Sequence, residues 1–283
     1  MSGEKFIEKI NVQVYDIDEF RAYSTKSGRT LYLCSDSNGL VVRDNNIKLI
    51  GNIFKIQSEM RIFMNSYVAD IYKTLKENTN IDNARKMEAY MKNLFPFMGI
   101  NMPMRKSLTK KYMKQSKEID IKSLLSIMYE LYDCEEREFQ YVAIDLLGEN
   151  YIRFSYEDFK MLYLLINKKP WWDSIDALRK QMALWVKNNL QYFDEIMTTL
   201  LDSSSFWNRR IALNIQLLWK NDTNTEWLKK AILQNIDDEE FFIQKAIGWA
   251  LRDYSKTNAE WVKELLNTYS FSNLAYKEGS KYL

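Results

Sequence analysis

From residue 139 onward, four segments each begin with an aromatic residue and run on as an amphipathic helix, and their starts lie 33, 35 and 35 residues apart. They are FQYVAIDLL from Phe139, WDSIDALRKQMALWV from Trp172, WNRRIALNIQLLW from Trp207 and FIQKAIGWALRDY from Phe242. A polar or acidic turn precedes each. One amphipathic helix cannot bury its apolar stripe alone, so a repeat of this length needs its neighbours. Stacked helix pairs bury one another's faces, and equivalent helices then line a common, concave wall. The Gly and Ala positions of a tetratricopeptide pattern are missing, whereas HEAT-like packing tolerates irregular repeats. The pattern predicts an all-α, HEAT-like α-solenoid, a right-handed superhelix of helix pairs.

The helical grammar extends upstream. Met64, Val68, Ile71 and Leu75 recur at three- and four-residue steps. Asn80 or Asp82 suits a helix cap, Pro96 and Gly99 break the chain, Pro103 suits a first helical turn, and Asp120 precedes another apolar period. The first 55 or so residues read differently. INVQVYD, EFRAYST, RTLYLCS, GLVVRD and NIKLIG are short, β-branched and aromatic-rich, and turn residues such as Ser37-Asn38-Gly39 and Asp44-Asn45-Asn46 lie between them. The expected organisation is a small β-meander over 1–55 and a helical domain over 56–283.

Composition narrows the chemistry. The chain has no His, which excludes Ser-His-Asp and Cys-His catalysis and His-based metal sites. Its eight Gly are scattered, so neither a GxGxxG turn nor a phosphate-binding P-loop can be written. Cys34 and Cys134 are too few for a structural zinc site and read as reduced thiols. No signal-peptide shape opens the sequence and no run is long and apolar enough for a membrane helix, so a soluble, cytoplasmic protein is expected. Net charge is only +2, so a polyanion would need a local basic surface. The one basic run, RKSLTKKYMKQSK, carries Arg105, Lys106, Lys110, Lys111, Lys114 and Lys117 without an acid. Taken alone, the segment reads first as a solvated helix face.

Functional groups must then be carboxylates, aromatics and basic side chains on equivalent helices. Trp172 and Asp176 are four residues apart on one helix face, and an indole beside a carboxylate favours a cationic ligand. The plainer alternative is a core Trp and a solvated Asp. Arg209 and Arg210, adjacent near a helix start, fit a phosphate clamp or a surface ion pair. Trp249 stands two turns beyond Phe242 and can share a site with the preceding repeats or simply fill the core. Glu135, Glu136 and Glu138, like Asp237 to Glu240, read as acidic helix starts that the helix dipole favours.

These residues carry a resemblance. MEAYMKNLFPFMGI (87–100), EREFQYVAIDLL (136–147), KKPWWDSIDAL (168–178), WNRRIAL (207–213) and EFFIQKAIGWALRDYSKTN (240–258) resemble, in order and spacing, the AlkD-type DNA alkylation repair glycosylases over about residues 60–283. The resemblance implies removal of cationic N3- and N7-alkylpurines from duplex DNA, by a monomer with no metal or organic cofactor and without flipping the base. It makes Asp176 the catalytic carboxylate, Trp172 and Trp249 the aromatic walls, and Arg210, with Arg209 as the alternative, the grip on the backbone. It places further DNA contacts from Asn101 to Lys106, including Pro103, Arg105 and Lys106, and the basic run adds Lys110 as a candidate contact. There the family shows a Thr-Pro-Glu-Arg type sequence where this chain has Met102-Pro103-Met104-Arg105. A non-catalytic nucleic-acid-binding or protein-interaction scaffold is the rival reading.

Overall fold

The computed structural model describes residues 65–283 and, before them, the backbone of four short strands. The chain divides into two compact units, Met1–Met64 and Asn65–Leu283. In the first, strands β1 (Leu31–Leu33), β2 (Gly39–Arg43), β3 (Asn46–Ile50) and β4 (Phe54–Ile56) pair antiparallel as β1 with β4 and β2 with β3. A meander would pair β1 with β2. Instead β2 and β3, separated only by Asp44 and Asn45, suit a tight two-residue hairpin, and β1 and β4 pair around it in sequence. The expected strands INVQVYD and EFRAYST lie outside the described residues. Phe54–Ile56, where the helical period was expected to begin, is extended, and the first helix among the described residues is Ser66–Lys76.

The second unit is helical throughout its described length. Its helices are α1 (Ser66–Lys76), α2 (Ile81–Tyr90), α3 (Met102–Gln115), α4 (Ile121–Asp133), α5 (Arg137–Asn150), α6 (Tyr156–Lys160), α7 (Tyr163–Ile166), α8 (Trp172–Lys187), α9 (Phe193–Leu201), α10 (Phe206–Asn214), α11 (Thr225–Gln234), α12 (Phe241–Ser255), α13 (Ala259–Thr268) and α14 (Asn273–Gly279). Side-chain caps start many of them. Asn80, Asn101, Asp120, Asn224, Asn258 and Ser272 each accept a backbone N–H of the following turn. Each such cap contributes about 1 kcal/mol. The four aromatic-led segments are α5, α8, α10 and α12, and consecutive members pack on one another. Helices α4, α9, α11 and α13 pair with them as a second layer. This is the α-solenoid that the repeat predicted, and Phe139, Ile175, Leu178, Ile211 and Ile247, each at most 1 % exposed, form its shared core.

The segment between α2 and α3 is fixed unusually well. Gly99 has φ +79°, and a Cβ there would lie 2.1 Å from the Asn80 carbonyl oxygen and 2.5 Å from the Ala84 nitrogen. Asn83 donates to the Gly99 carbonyl at 2.6 Å. The Glu138 carboxylate, fully buried, accepts the backbone N–H groups of Met98 and Ile100 at 3.0 Å. Burial pushes the Glu138 carboxyl up, and these N–H groups pull it partly back. Glu138 was expected as part of an acidic helix start; it is an internal anchor that sets where α3 begins.

Candidate functional site

Helix α8 follows Pro170, and Trp171 is its cap residue in extended conformation, without a side-chain cap bond. Its first turn is held from the side instead. Asp173 accepts from Arg137 Nε at 2.9 Å and from Arg137 Nη2 at 2.7 Å, and the Tyr141 hydroxyl donates to the same carboxylate. Arg137 also donates to the Lys169 carbonyl and to Ser174 Oγ. Its side chain is 0 % exposed and that of Asp173 is 6 % exposed. This is a closed, charge-assisted network, satisfied on nearly every side. Its product is a fixed origin for α8, and hence for Trp172 and Asp176.

Three consecutive repeats then meet at one arginine. Arg210, from α10, donates Nε to Asp176 Oδ1 at 3.0 Å and Nη2 to Asp176 Oδ2 at 2.9 Å. Its Nη1 donates to the Phe242 carbonyl of α12 at 2.6 Å, and its guanidinium lies 5.1 Å from the Trp249 ring centroid. The Arg210 side chain is 2 % exposed, whereas that of Asp176 keeps 22 %. The sequence expected Arg210 to grip a phosphate. The structure turns its fork inward, where it orients the carboxylate and faces the indole. The pairing is planar and bidentate, which fixes both oxygens of Asp176. Trp249 is half-buried. Trp172, also half-buried, has the Tyr90 ring edge-on at 6.0 Å. Beside it is an open hollow of about 210 Å³ lined by Lys86, Met87, Tyr90, Met91, Phe97 and Tyr141.

The other expected contacts sort by helix face. In α3, Arg105, Thr109 and Tyr112 point inward, while Lys106, Lys110 and Lys114 are exposed along the opposite stripe. Arg105 is 7 % exposed, paired with Asp145 at 3.2 Å and stacked on the Tyr141 ring, so it serves packing. Pro103 is exposed in the first turn, which Asn101 caps, and Met102 and Met104 are exposed on either side of it. Among the described residues, Lys106, Lys110 and Lys114 have no acidic partner, whereas Lys117 pairs with Glu149 at 3.3 Å. Arg209 is committed as well. It donates to Asn235 Oδ1, to the carbonyls of Ser203 and Ser204, and to Asp238. Of the Arg pair, neither member offers an open phosphate clamp.

Sequence reasoning passed over two groups here, the Asp173–Arg137–Tyr141 network and Arg179, and read Glu138 as part of an acidic helix start. Arg179 was findable, because it lies three residues beyond Asp176 on the same stretch of helix.

A family model described as DNA alkylation repair enzyme matches residues 71–283. A solved structure described as a predicted DNA alkylation repair enzyme from Enterococcus faecalis is 47 % identical over 72 % of this chain and 96 % of its own, with a TM-score of 0.71. AlkD2 from Streptococcus mutans is 22 % identical over 62 % of this chain and 89 % of its own, with a TM-score of 0.51. The smu.31 protein from Streptococcus mutans UA159 is 23 % identical over 64 % and 96 %, also with a TM-score of 0.51, and these last two likenesses concern the fold alone. No curated protein matches the sequence.

Proposed function

The chain belongs to the DNA alkylation repair enzyme family, and from that premise we propose that it is a monofunctional DNA glycosylase, hydrolysing the N-glycosidic bond of cationic N3- and N7-alkylpurines in duplex DNA. The observation that carries the reading is Asp176: a carboxylate locked in orientation by a buried guanidinium, yet still 22 % open to solvent. Alkylation makes the base a cationic leaving group, so little acid catalysis is needed, and the absence of His is no handicap. As the bond breaks, positive charge grows on the deoxyribose. A preorganised anion facing that sugar stabilises the transition state more than the ground state. The half-exposed indoles of Trp172 and Trp249 add cation–π attraction to the same charge. Asp176 then aligns the water that attacks the anomeric carbon.

Arg210 lowers the net charge of this arrangement but fixes its geometry, which is what an electrostatic catalyst requires. The base stays in the stack. In support, the hollow beside Trp172 is lined by neither Asp176 nor Trp249, so it does not hold a base against the carboxylate. The exposed Lys106–Lys110–Lys114 stripe and Pro103 supply the backbone contact. We place the enzyme in the cytoplasm, on DNA, as a monomer. No helix among the described residues is long and apolar enough to cross a membrane.

Release of free 7-methylguanine from a methylated duplex tests the proposal. The base should appear while the DNA strand stays uncut until alkali treatment, as a hydrolytic glycosylase without lyase activity requires. Duplex binding with no base release points to the scaffold reading instead.

A further inference from the structure

Arg179 lies one turn beyond Asp176 in α8, and no ion pair among the described residues answers its charge. Its Nε is buried without a hydrogen-bond partner. Asp176 and Asp253 are near enough to act on its charge, as is Arg210, yet neither carboxylate closes an ion pair with it among the described residues. Burial, more than any of these neighbours, holds the guanidinium below its ordinary range.

The neighbouring charged groups are engaged elsewhere. Asp176 is taken bidentately by Arg210. Asp253 accepts the Leu218 backbone N–H at 2.7 Å. Arg252, one residue before Asp253, is answered by Glu278 at 2.9 Å. A cation taken largely out of water is normally paired, because desolvating an unpaired charge is unfavourable. An unpaired one beside a catalytic carboxylate is a standing demand for an anion. Among the described residues no carboxylate closes an ion pair with Arg179: Asp176 pairs with Arg210, and Asp253 acts on it only through its field. The partner of the family's chemistry that carries anions is the DNA backbone, and a guanidinium fork suits a phosphate.

We infer that Arg179 is the phosphate-binding arginine of the site, gripping the backbone next to the sugar that Asp176 faces, in the role that Arg210 is too enclosed to play. The inference rests on the glycosylase reading and extends it. It also divides the labour: Arg210 aims the carboxylate, and Arg179 holds the nucleotide against it. Arg179 is thus a substrate-binding residue whose charge counts in the complex more than in the free fold.

The test uses the full chain and an undamaged 20-base-pair duplex, with affinity followed by fluorescence anisotropy across a salt series. The slope of log affinity against log salt falls by about 0.9 for each phosphate that is no longer neutralised. Arg179→Gln should flatten the slope by about one unit and weaken binding, while its thermal midpoint stays level or rises, because an unanswered buried charge has been removed. Arg179→Lys should keep the slope and bind less tightly than the native chain. An unchanged slope in Arg179→Gln overturns the inference, as does a fallen thermal midpoint with the slope intact, which would mark a purely structural residue. If the native chain itself fails to bind duplex DNA, the glycosylase reading falls, and this inference with it.

Discussion

Asp173→Asn is a near-isosteric change that removes one buried negative charge. In the native chain that charge answers Arg137, whose side chain is 0 % exposed, through two hydrogen bonds of 2.9 and 2.7 Å. The asparagine keeps one acceptor oxygen but leaves the guanidinium without a counter-charge. Removing one partner of a buried pair costs about 3–5 kcal/mol. Arg137 retains the Lys169 carbonyl and Ser174 Oγ, which argues for the lower end, about 3 kcal/mol. For a domain of 150–250 residues, each kcal/mol shifts the melting point by roughly 2–4 °C, so a fall of roughly 6–12 °C is expected. Differential scanning calorimetry at neutral pH measures it. Excision of 7-methylguanine, assayed well below the new midpoint, should also slow by about tenfold, because the first turn of α8 carries Trp172 and Asp176 and small misplacements are costly. Replacing both partners, as Arg137→Met with Asp173→Leu, should recover much of the stability but not the rate. A melting point within 2 °C of native for Asp173→Asn would refute the claim that this pair fixes the start of α8.

Four further outcomes are expected. Gly99→Ala should lower the melting point by several degrees, read by circular dichroism, because the new Cβ meets the Asn80 carbonyl at 2.1 Å and the residue must hold φ +79°. Lys106→Ala with Lys110→Ala should flatten the salt slope of duplex binding by about two units and leave the stability within about 0.5 kcal/mol of native. Arg209→Ala should do the reverse: it removes the bonds to Asp238, Asn235 and two carbonyls, so stability falls by about 1–2 kcal/mol in urea melts while the salt slope holds. Burial pushes the Cys134 thiol up to about 11 from 9.0, so at pH 8 it carries roughly a hundredfold less thiolate than an exposed cysteine. Its peptide should therefore take up iodoacetamide far more slowly in native than in urea-unfolded protein, followed by mass spectrometry.

The helical architecture was legible because it is written in a long-range period. Phe139, Trp172, Trp207 and Phe242 recur at nearly constant spacing, and each stands at or near the start of one of the four equivalent helices. Caps such as Asn80 and Asp120 were legible for a local reason: their side chains act within three residues. What sequence could not decide was which way the charged side chains turn. Arg105 and Lys106 are neighbours, yet one is buried on Asp145 and Tyr141 and the other faces water. Arg209 and Arg210 both read as clamp residues, yet their partners, Asp238 and Asp176, come from distant turns that no local spacing reveals. Asp173 and Asp176 stand three residues apart, and only packing against α5 and α10 separates the structural acid from the one left open. The strand pairing of the first unit escaped for the same reason, since β1 and β4 are joined by a register that alternation alone does not fix.

The most direct test is the single-turnover rate of 7-methylguanine release by Asp176→Asn, measured beside the native chain at saturating enzyme and at a temperature where calorimetry shows both fully folded. The account predicts unimpaired duplex binding and a rate at least a hundredfold lower, since removing one preorganised electrostatic group typically costs about 10²–10³ in rate. Release within a few-fold of the native rate, by a folded and DNA-bound variant, would contradict the account.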